Sequence, residues 1–136
     1  MKYLVDANVL SEPTKPAPDR GGIAWLRSHE HEFAVDPIIL GELRFGILLL
    51  SKGKKRAHLE RWFDAGVRRL HCLPWEADTG LRWAELLAHL RKTGRAMPIK
   101  DSLIAATALV HDLVIVTRNR GDFEKARVEV LDPFAG

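Results

Sequence analysis

The chain has 136 residues, 46% of them hydrophobic, and a formal net charge of +3 at pH 7. This length predicts one domain over residues 1–136 with its own apolar core. A single cysteine, Cys72, excludes an internal disulfide framework and a cysteine-rich zinc site. The first apolar stretch, residues 3–10, is short and contains Asp6, so we expect a cytoplasmic protein with no membrane segment.

A β-favouring run begins the chain at residues 2–5 and stops at Asp6, Ala7 and Asn8. Aspartate and asparagine side chains bond nearby backbone groups, so this pattern predicts a strand followed by a loop. Ligands bind at the carboxyl ends of strands in an open α/β sheet, which makes Asp6 a candidate for function. The alternative is that Asp6 only forms a turn or caps the next segment.

Residues 33–35 predict a second strand, and Asp36, which precedes a proline, predicts the cap of a helix reaching about residue 50. Within this helix the neighbours of Glu42 at helical spacing are apolar or small. An ionised side chain on such a stripe needs a partner or a metal ion. The alternative is a glutamate that extends to solvent or pairs with Arg44 or a distant lysine.

The rest of the chain continues the alternation of helices and strands. Further helices are predicted at about residues 52–69, 75–93 and 101–110, and further strands at residues 71–73, 113–116 and 128–131. The helix that opens at Asp101 is alanine-rich and apolar on nearly every side, which indicates a core position. This order predicts an α/β fold with a parallel sheet covered on both faces.

Asp101 and Asp122 are weaker candidates when each is considered alone. The helix dipole favours a carboxylate at a helix start, so capping would account for Asp101. An ordinary Gly-Asp turn would account for Asp122. Together with Asp6 and Glu42, however, these acids would gather at one edge of the sheet and repel one another without a cation. Carboxylate oxygens suit hard divalent cations, so Mg²⁺ or Mn²⁺ is the expected cofactor.

Four motifs follow one another along the chain: LVDANVLSE at residues 4–12, GELRFG at 41–46, DSLIAATA at 101–108 and TRNRGDF at 117–123. In sequence and order they resemble the PIN-domain ribonucleases, and particularly the FitB-like branch of the VapBC-type toxins. The resemblance runs from Met1 to about Phe134. It implies a three-layer α/β/α sandwich around a central parallel sheet. It also implies metal-binding and catalytic roles for Asp6, Glu42, Asp101 and Asp122.

The resemblance further implies supporting roles for polar residues near these acids. Asn8 would help to hold the site, while Thr117 and Asn119 lie beside the fourth acid and could bond a ligating carboxylate. Arg118 is a candidate contact for RNA phosphate. The implied activity is that of an endoribonuclease toxin in which a cation-activated water attacks phosphorus. The implied partners are RNA, a cognate VapB-like antitoxin, and a second copy of the chain in a homodimer and a toxin–antitoxin hetero-oligomer.

Two residues depart from this branch. Asp36 stands where a serine or threonine usually precedes the helix with the second acid, and we interpret it as a helix cap. The alternative is an additional carboxylate at the mouth of the site, which would adjust metal occupancy or repel substrate. Lys100 replaces the small residue often found before the third acid.

Two other functions remain open at this point. Haloacid-dehalogenase-like phosphatases also begin with a strand that ends in aspartate, and they would use Asp6 as a covalent nucleophile. Their Asp-x-Asp motif requires an aspartate where this chain has Asn8. A non-catalytic RNA-binding member of the same fold is the other alternative, and loss of one or more acids would be its signature.

Overall fold

The sheet is built from very short apolar strands. The computed structural model describes residues 1–134, so the last two residues of the predicted single domain lie outside the described residues. The strands are β1 (Tyr3–Val5), β2 (Phe33–Ala34), β3 (Val114–Val116) and β4 (Val130–Leu131). All pairings are parallel, in the order β2-β1-β3-β4. The predicted parallel sheet is therefore confirmed. That residues 1–136 form one domain stays a prediction.

Helices flank this sheet in the predicted three-layer α/β/α arrangement. They are α1 (Ala7–Leu10), α2 (Arg20–Ser28), α3 (Pro37–Leu48), α4 (Lys54–Ala65), α5 (Ala77–Lys92), α6 (Ile99–His111) and α7 (Arg120–Glu124), with 3-10 turns at Glu12–Thr14 and Val67–Arg69. The alanine-rich α6 is a core helix, since its Ala105 and Ala106 are fully buried. Within residues 1–134, no helix has both the length and the apolar character needed to cross a membrane.

The order of the strands determines where a site can form. The chain passes from β1 to β2 on one side of β1, and β3 then pairs with β1 on the other side. Val5 lies opposite Val116 in this pairing, so β1 and β3 end side by side. Asp6 and Thr117 are the next residues of the two strands. This junction is a topological switch point, where open α/β sheets leave a crevice for ligands.

The predicted strand at residues 71–73 is wrong as an element. Only one parallel bridge forms there, between Val35 and Cys72. The Val35 amide donates to the His71 carbonyl at 2.9 Å and the Leu73 amide donates to the Val35 carbonyl at 2.8 Å. Pro74 follows directly and has no amide hydrogen, so it cannot extend the ladder.

The loop predicted after β1 is also wrong, because residues 7–10 form α1. The Asp6 side chain accepts a hydrogen bond from the Ala7 amide at 2.8 Å and caps the helix. Val9 and Leu10 are buried against the core. Burial of these apolar side chains explains why the segment continues as a helical turn instead of a loop.

Asp36 is the cap of α3, as interpreted from the sequence. Its Oδ1 accepts from the Ile39 amide at 2.9 Å, and its Oδ2 accepts from the Thr107 hydroxyl at 2.7 Å. Asp36 and Thr107 are both 0% exposed. Burial raises the pKa of Asp36, and these two hydrogen bonds oppose that rise. Asp36 therefore joins α3 to α6 inside the core and does not lie at the mouth of a site.

Replacement of Thr107 by valine tests this connection. The hydroxyl favours the ionised carboxylate, so Thr107→Val should lower the free energy of unfolding by about 1–3 kcal/mol. The loss should be larger at pH 7.5 than at pH 4.5, because removal of the hydroxyl matters most when Asp36 is ionised. Urea denaturation followed by circular dichroism measures both values. Thr107→Ser keeps the hydroxyl and should retain most of the stability; an equal loss in both variants would contradict this role.

Candidate active site

Asp6 is held rigidly at the end of β1. Its amide donates to the Val116 carbonyl at 2.9 Å, which extends the pairing of β1 with β3 by one residue. Its Oδ1 accepts from the Ala7 amide, and its Oδ2 accepts from the Thr117 hydroxyl at 2.8 Å. The residue is 5% exposed, and this burial raises the pKa of its carboxyl. Asp6 therefore caps α1 and also lies at the predicted edge of the sheet, while its functional role stays a prediction.

The Thr117 hydroxyl connects the predicted supporting residues. It accepts from the Asn8 side-chain amide at 3.3 Å and from the Asn119 backbone amide at 3.1 Å while it donates to Asp6. The Arg118 backbone amide donates to Asn8 Oδ1 at 3.1 Å. Asn119 thus joins this network through its backbone amide. This network fixes the direction of the Asp6 carboxylate.

Glu42 reaches the same region from α3. Its Oε2 accepts a hydrogen bond from the Lys100 ammonium. This oxygen therefore pairs with a distant lysine, which was one alternative for Glu42. Its Oε1 is buried and has no hydrogen-bond partner within residues 1–134. A buried carboxylate oxygen without a donor is costly, so this atom is available to a ligand. Lys100 therefore contacts one of the four candidate acids directly.

Asp101 belongs to the first turn of α6 and is not its cap. The helix begins at Ile99, and Pro98 occupies the cap position. Burial, the charge of Asp6 and then the charge of Asp122 raise the pKa of Asp101 to about 6, while Lys100 opposes the rise. A carboxyl shifted mainly by burial and by neighbouring acids is typical of a functional cleft.

Asp122 completes the group from α7. It lies in the first turn of this short helix, where the sequence suggested a Gly-Asp turn as an alternative. It is half-buried and acts electrostatically on Asp101. Glu42 in turn raises the pKa of Asp6 and Asp101. The structure thus brings all four predicted acids within electrostatic reach of one another; we call Asp6, Glu42, Asp101 and Asp122 the acidic cluster.

Two tryptophans of the α5 region hold the start of α6. The Trp83 indole donates to Ser102 Oγ at 2.9 Å, and the Trp75 indole donates to the Leu103 carbonyl at 3.3 Å. Ser102 in turn donates to the Ile99 carbonyl at 2.6 Å. These bonds fix the two residues that follow Asp101 in the chain.

Glu12 is a structural residue of the site that the sequence analysis did not single out. It is 2% exposed, and its Oε2 accepts from the Asp19 amide at 2.8 Å. Its Oε1 accepts from the Arg118 guanidinium at 3.1 Å. That guanidinium also lies 3.8 Å from the centre of the Phe134 ring. The position of Glu12 at the end of the first motif, residues 4–12, could have indicated its importance. Arg118, predicted to contact phosphate, is engaged with Glu12 and Phe134 here.

The chemistry of the acidic cluster fits a hard divalent cation. Within residues 1–134, no three His, Cys, Asp or Glu side chains already form a metal-ligand group. Mg²⁺ does not require one, since it keeps several waters and binds through one or two carboxylates together with substrate phosphate. The unpartnered Glu42 Oε1 and the repulsion that acts on Asp101 both favour a cation at this edge.

Comparison with known proteins covers nearly the whole chain. The PIN domain family model matches residues 3–129. Toxin FitB from Neisseria gonorrhoeae is 34% identical over 135 residues, which cover 96% of this chain and 97% of the relative. VapC ribonuclease Y4jK from Sinorhizobium fredii is 31% identical over 135 residues, with 96% of both chains covered.

Solved structures give the same result. The crystal structure of FitAcB from Neisseria gonorrhoeae aligns with a TM-score of 0.91 and 33% identity, covering 97% of this chain and 98% of that chain. VapBC2 from Rickettsia felis, bound to a DNA fragment from its promoter, aligns with a TM-score of 0.80 and 25% identity, covering 96% and 98%. The predicted family is confirmed: the chain belongs to the PIN-domain family and is related to the VapC and FitB toxins.

Proposed function

We propose that this chain is the ribonuclease toxin of a VapBC-type toxin–antitoxin system and cuts RNA internally with Mg²⁺ or Mn²⁺. The acidic cluster at the shared end of β1 and β3 carries this proposal. The names of the relatives, VapC ribonuclease Y4jK and toxin FitB, support the activity and the toxin role. All four acids implied by the resemblance are present.

In the proposed mechanism, Asp6, Glu42, Asp101 and Asp122 would hold the cation. When bound, it would polarise the scissile phosphate and favour ionisation of a water. Thr117 keeps the Asp6 carboxylate in one orientation through its 2.8 Å hydrogen bond. Hydrolysis forms a bond from the water oxygen to phosphorus and breaks the bond from phosphorus to the 3′ oxygen; the water gives up a proton, and the leaving 3′ oxygen takes one up. The products then carry a 5′-phosphate and a 3′-hydroxyl.

We further propose a cytoplasmic homodimer that binds a VapB-like antitoxin in a hetero-oligomer. The structural neighbours FitAcB and VapBC2 are toxin–antitoxin complexes, which supports such a partner. Phe45, Leu48 and Leu49 are 63%, 52% and 70% exposed near the end of α3. Adjacent exposed apolar side chains of this size favour contact with another protein.

Neither alternative function gains support. The match to the PIN domain over residues 3–129 argues against a haloacid-dehalogenase-like phosphatase, and Asn8 occupies the position of its second aspartate. A phosphoryl group trapped on Asp6 would nevertheless favour that enzyme. A non-catalytic RNA-binding protein does not require four mutually repelling acids.

The first test removes single charges from the acidic cluster. Asp6→Asn and Asp101→Asn should abolish Mn²⁺-dependent cleavage of structured RNA and growth arrest on expression, because each removes a cation ligand. Fragments resolved by gel electrophoresis measure cleavage. The exposed Asp78 on α5 gives a matched control, and Asp78→Asn should cleave normally. Full activity in both cluster variants, or cleavage that persists in EDTA, would exclude the proposed function.

A second test concerns the orientation of Asp6. Thr117→Val removes the hydroxyl that contacts Asp6, Asn8 and Asn119, and it should reduce the cleavage rate about 10- to 100-fold. Thr117→Ser keeps the hydroxyl and should remain close to the wild-type rate. Single-turnover kinetics on one RNA provides the comparison. A valine variant as active as the serine variant would remove Thr117 from the mechanism.

A third test follows the cation through protein stability. Mn²⁺ bound to the folded chain should raise the unfolding temperature, and more at pH 7.5 than at pH 5. Protonated Asp101 is a poor ligand, and its pKa of about 6 lies between these values. Without the cation, ionisation of Asp101 should lower stability as the pH rises through 6. Differential scanning fluorimetry measures both trends; an equal Mn²⁺ effect at the two pH values is incompatible with Asp101 as a ligand.

A further inference from the structure

Lys100 is the one basic side chain within residues 1–134 that bonds to the acidic cluster. It precedes Asp101 in α6 and reaches across to Glu42 on α3. The Lys100 side chain is 50% exposed and that of Glu42 is 27% exposed, so the ion pair is partly open to solvent. Lys100 thus supplies a positive charge that is part of the chain itself.

The charge of Lys100 acts on more than its direct partner. It lowers the pKa of Asp6 and of Asp101, although burial and the other acids outweigh it in both. The ammonium therefore stabilises several ionised carboxylates, as a bound cation would. A divalent ion beside it would meet repulsion from a like charge at short range. Nucleases that use two metal ions hold them roughly 3.5–4 Å apart, so a second ion would lie next to the first.

We propose that the Lys100 ammonium takes the place of a second divalent cation, so that the site binds a single metal ion. This inference rests on the proposed function, because it assumes that the acidic cluster binds a metal. Lys100 is then a positioning residue: it holds Glu42 Oε2 and leaves Oε1 free to face the ion. Lys100 would then set the number of ions that the site needs.

The number of bound Mn²⁺ ions tests this role without reference to activity. Electron paramagnetic resonance detects free Mn²⁺, so a titration of the purified chain at pH 7.5 gives the bound equivalents. We expect one equivalent for the wild type and two for Lys100→Met and Lys100→Gln. Lys100→Arg keeps the positive charge and should bind one equivalent, like the wild type. Lys92→Met, at the exposed end of α5, removes a lysine elsewhere and should also bind one.

The outcomes separate this inference from the proposed function. Two equivalents in the wild type, or one equivalent in both neutral Lys100 variants, would show that Lys100 does not replace a metal ion, while the nuclease proposal stands. No bound Mn²⁺ in any variant would overturn the metal-dependent function together with this inference. Circular dichroism of each variant establishes that it is folded, and agreement between the methionine and glutamine variants excludes an effect of one particular side chain.

Discussion

Repulsion among four buried or half-buried carboxylates is the constraint that the rest of this structure accommodates. The fold concentrates Asp6, Glu42, Asp101 and Asp122 at the ends of β1 and β3, where burial first and then the charges of Asp6 and Asp122 raise the pKa of Asp101. Strands of two or three residues offer few ladder hydrogen bonds with which to oppose it. Capping bonds, the Thr117 hydroxyl and the buried Asp36–Thr107 contact supply the additional connections. Rigidity at this edge therefore comes largely from side chains that bond across elements.

The sequence predicted the features that depend on residues close together in the chain. The alternation of helices and strands predicted the parallel sheet, and the apolar run before Asp6 predicted its position at the carboxyl end of β1. The cap at Asp36 was also visible, since it depends on the next three residues. The partner Thr107 was not, because it is 71 residues away in sequence. Glu42 and Lys100 are likewise separated by 58 residues, and their ion pair depends on how α3 packs near α6.

Errors arose where a short segment had two physically reasonable states. Residues 71–73 have the composition of a strand, but one bridge forms before Pro74 ends the pairing. Residues 7–10 follow turn-forming Asp6, yet burial of Val9 and Leu10 favours a helical turn. For Asp101 the predicted start of α6 was two residues late: Pro98 is the cap, but Asp101 still lies in the first turn, where the helix dipole favours a carboxylate. A shift of this size is common at helix ends.

The hydrogen bonds from Trp83 and Trp75 to the start of α6 have a practical consequence. Both indoles bond to residues that directly follow Asp101, so any ligand that moves this turn changes the surroundings of two natural fluorophores. Trp62 borders a cavity of about 340 Å³ that Glu42 also lines, which adds a third. A ligand that moves this turn would therefore change the tryptophan emission of the unlabelled protein, and single-tryptophan replacements would assign the signal to the α6 side or the α3 side of the site.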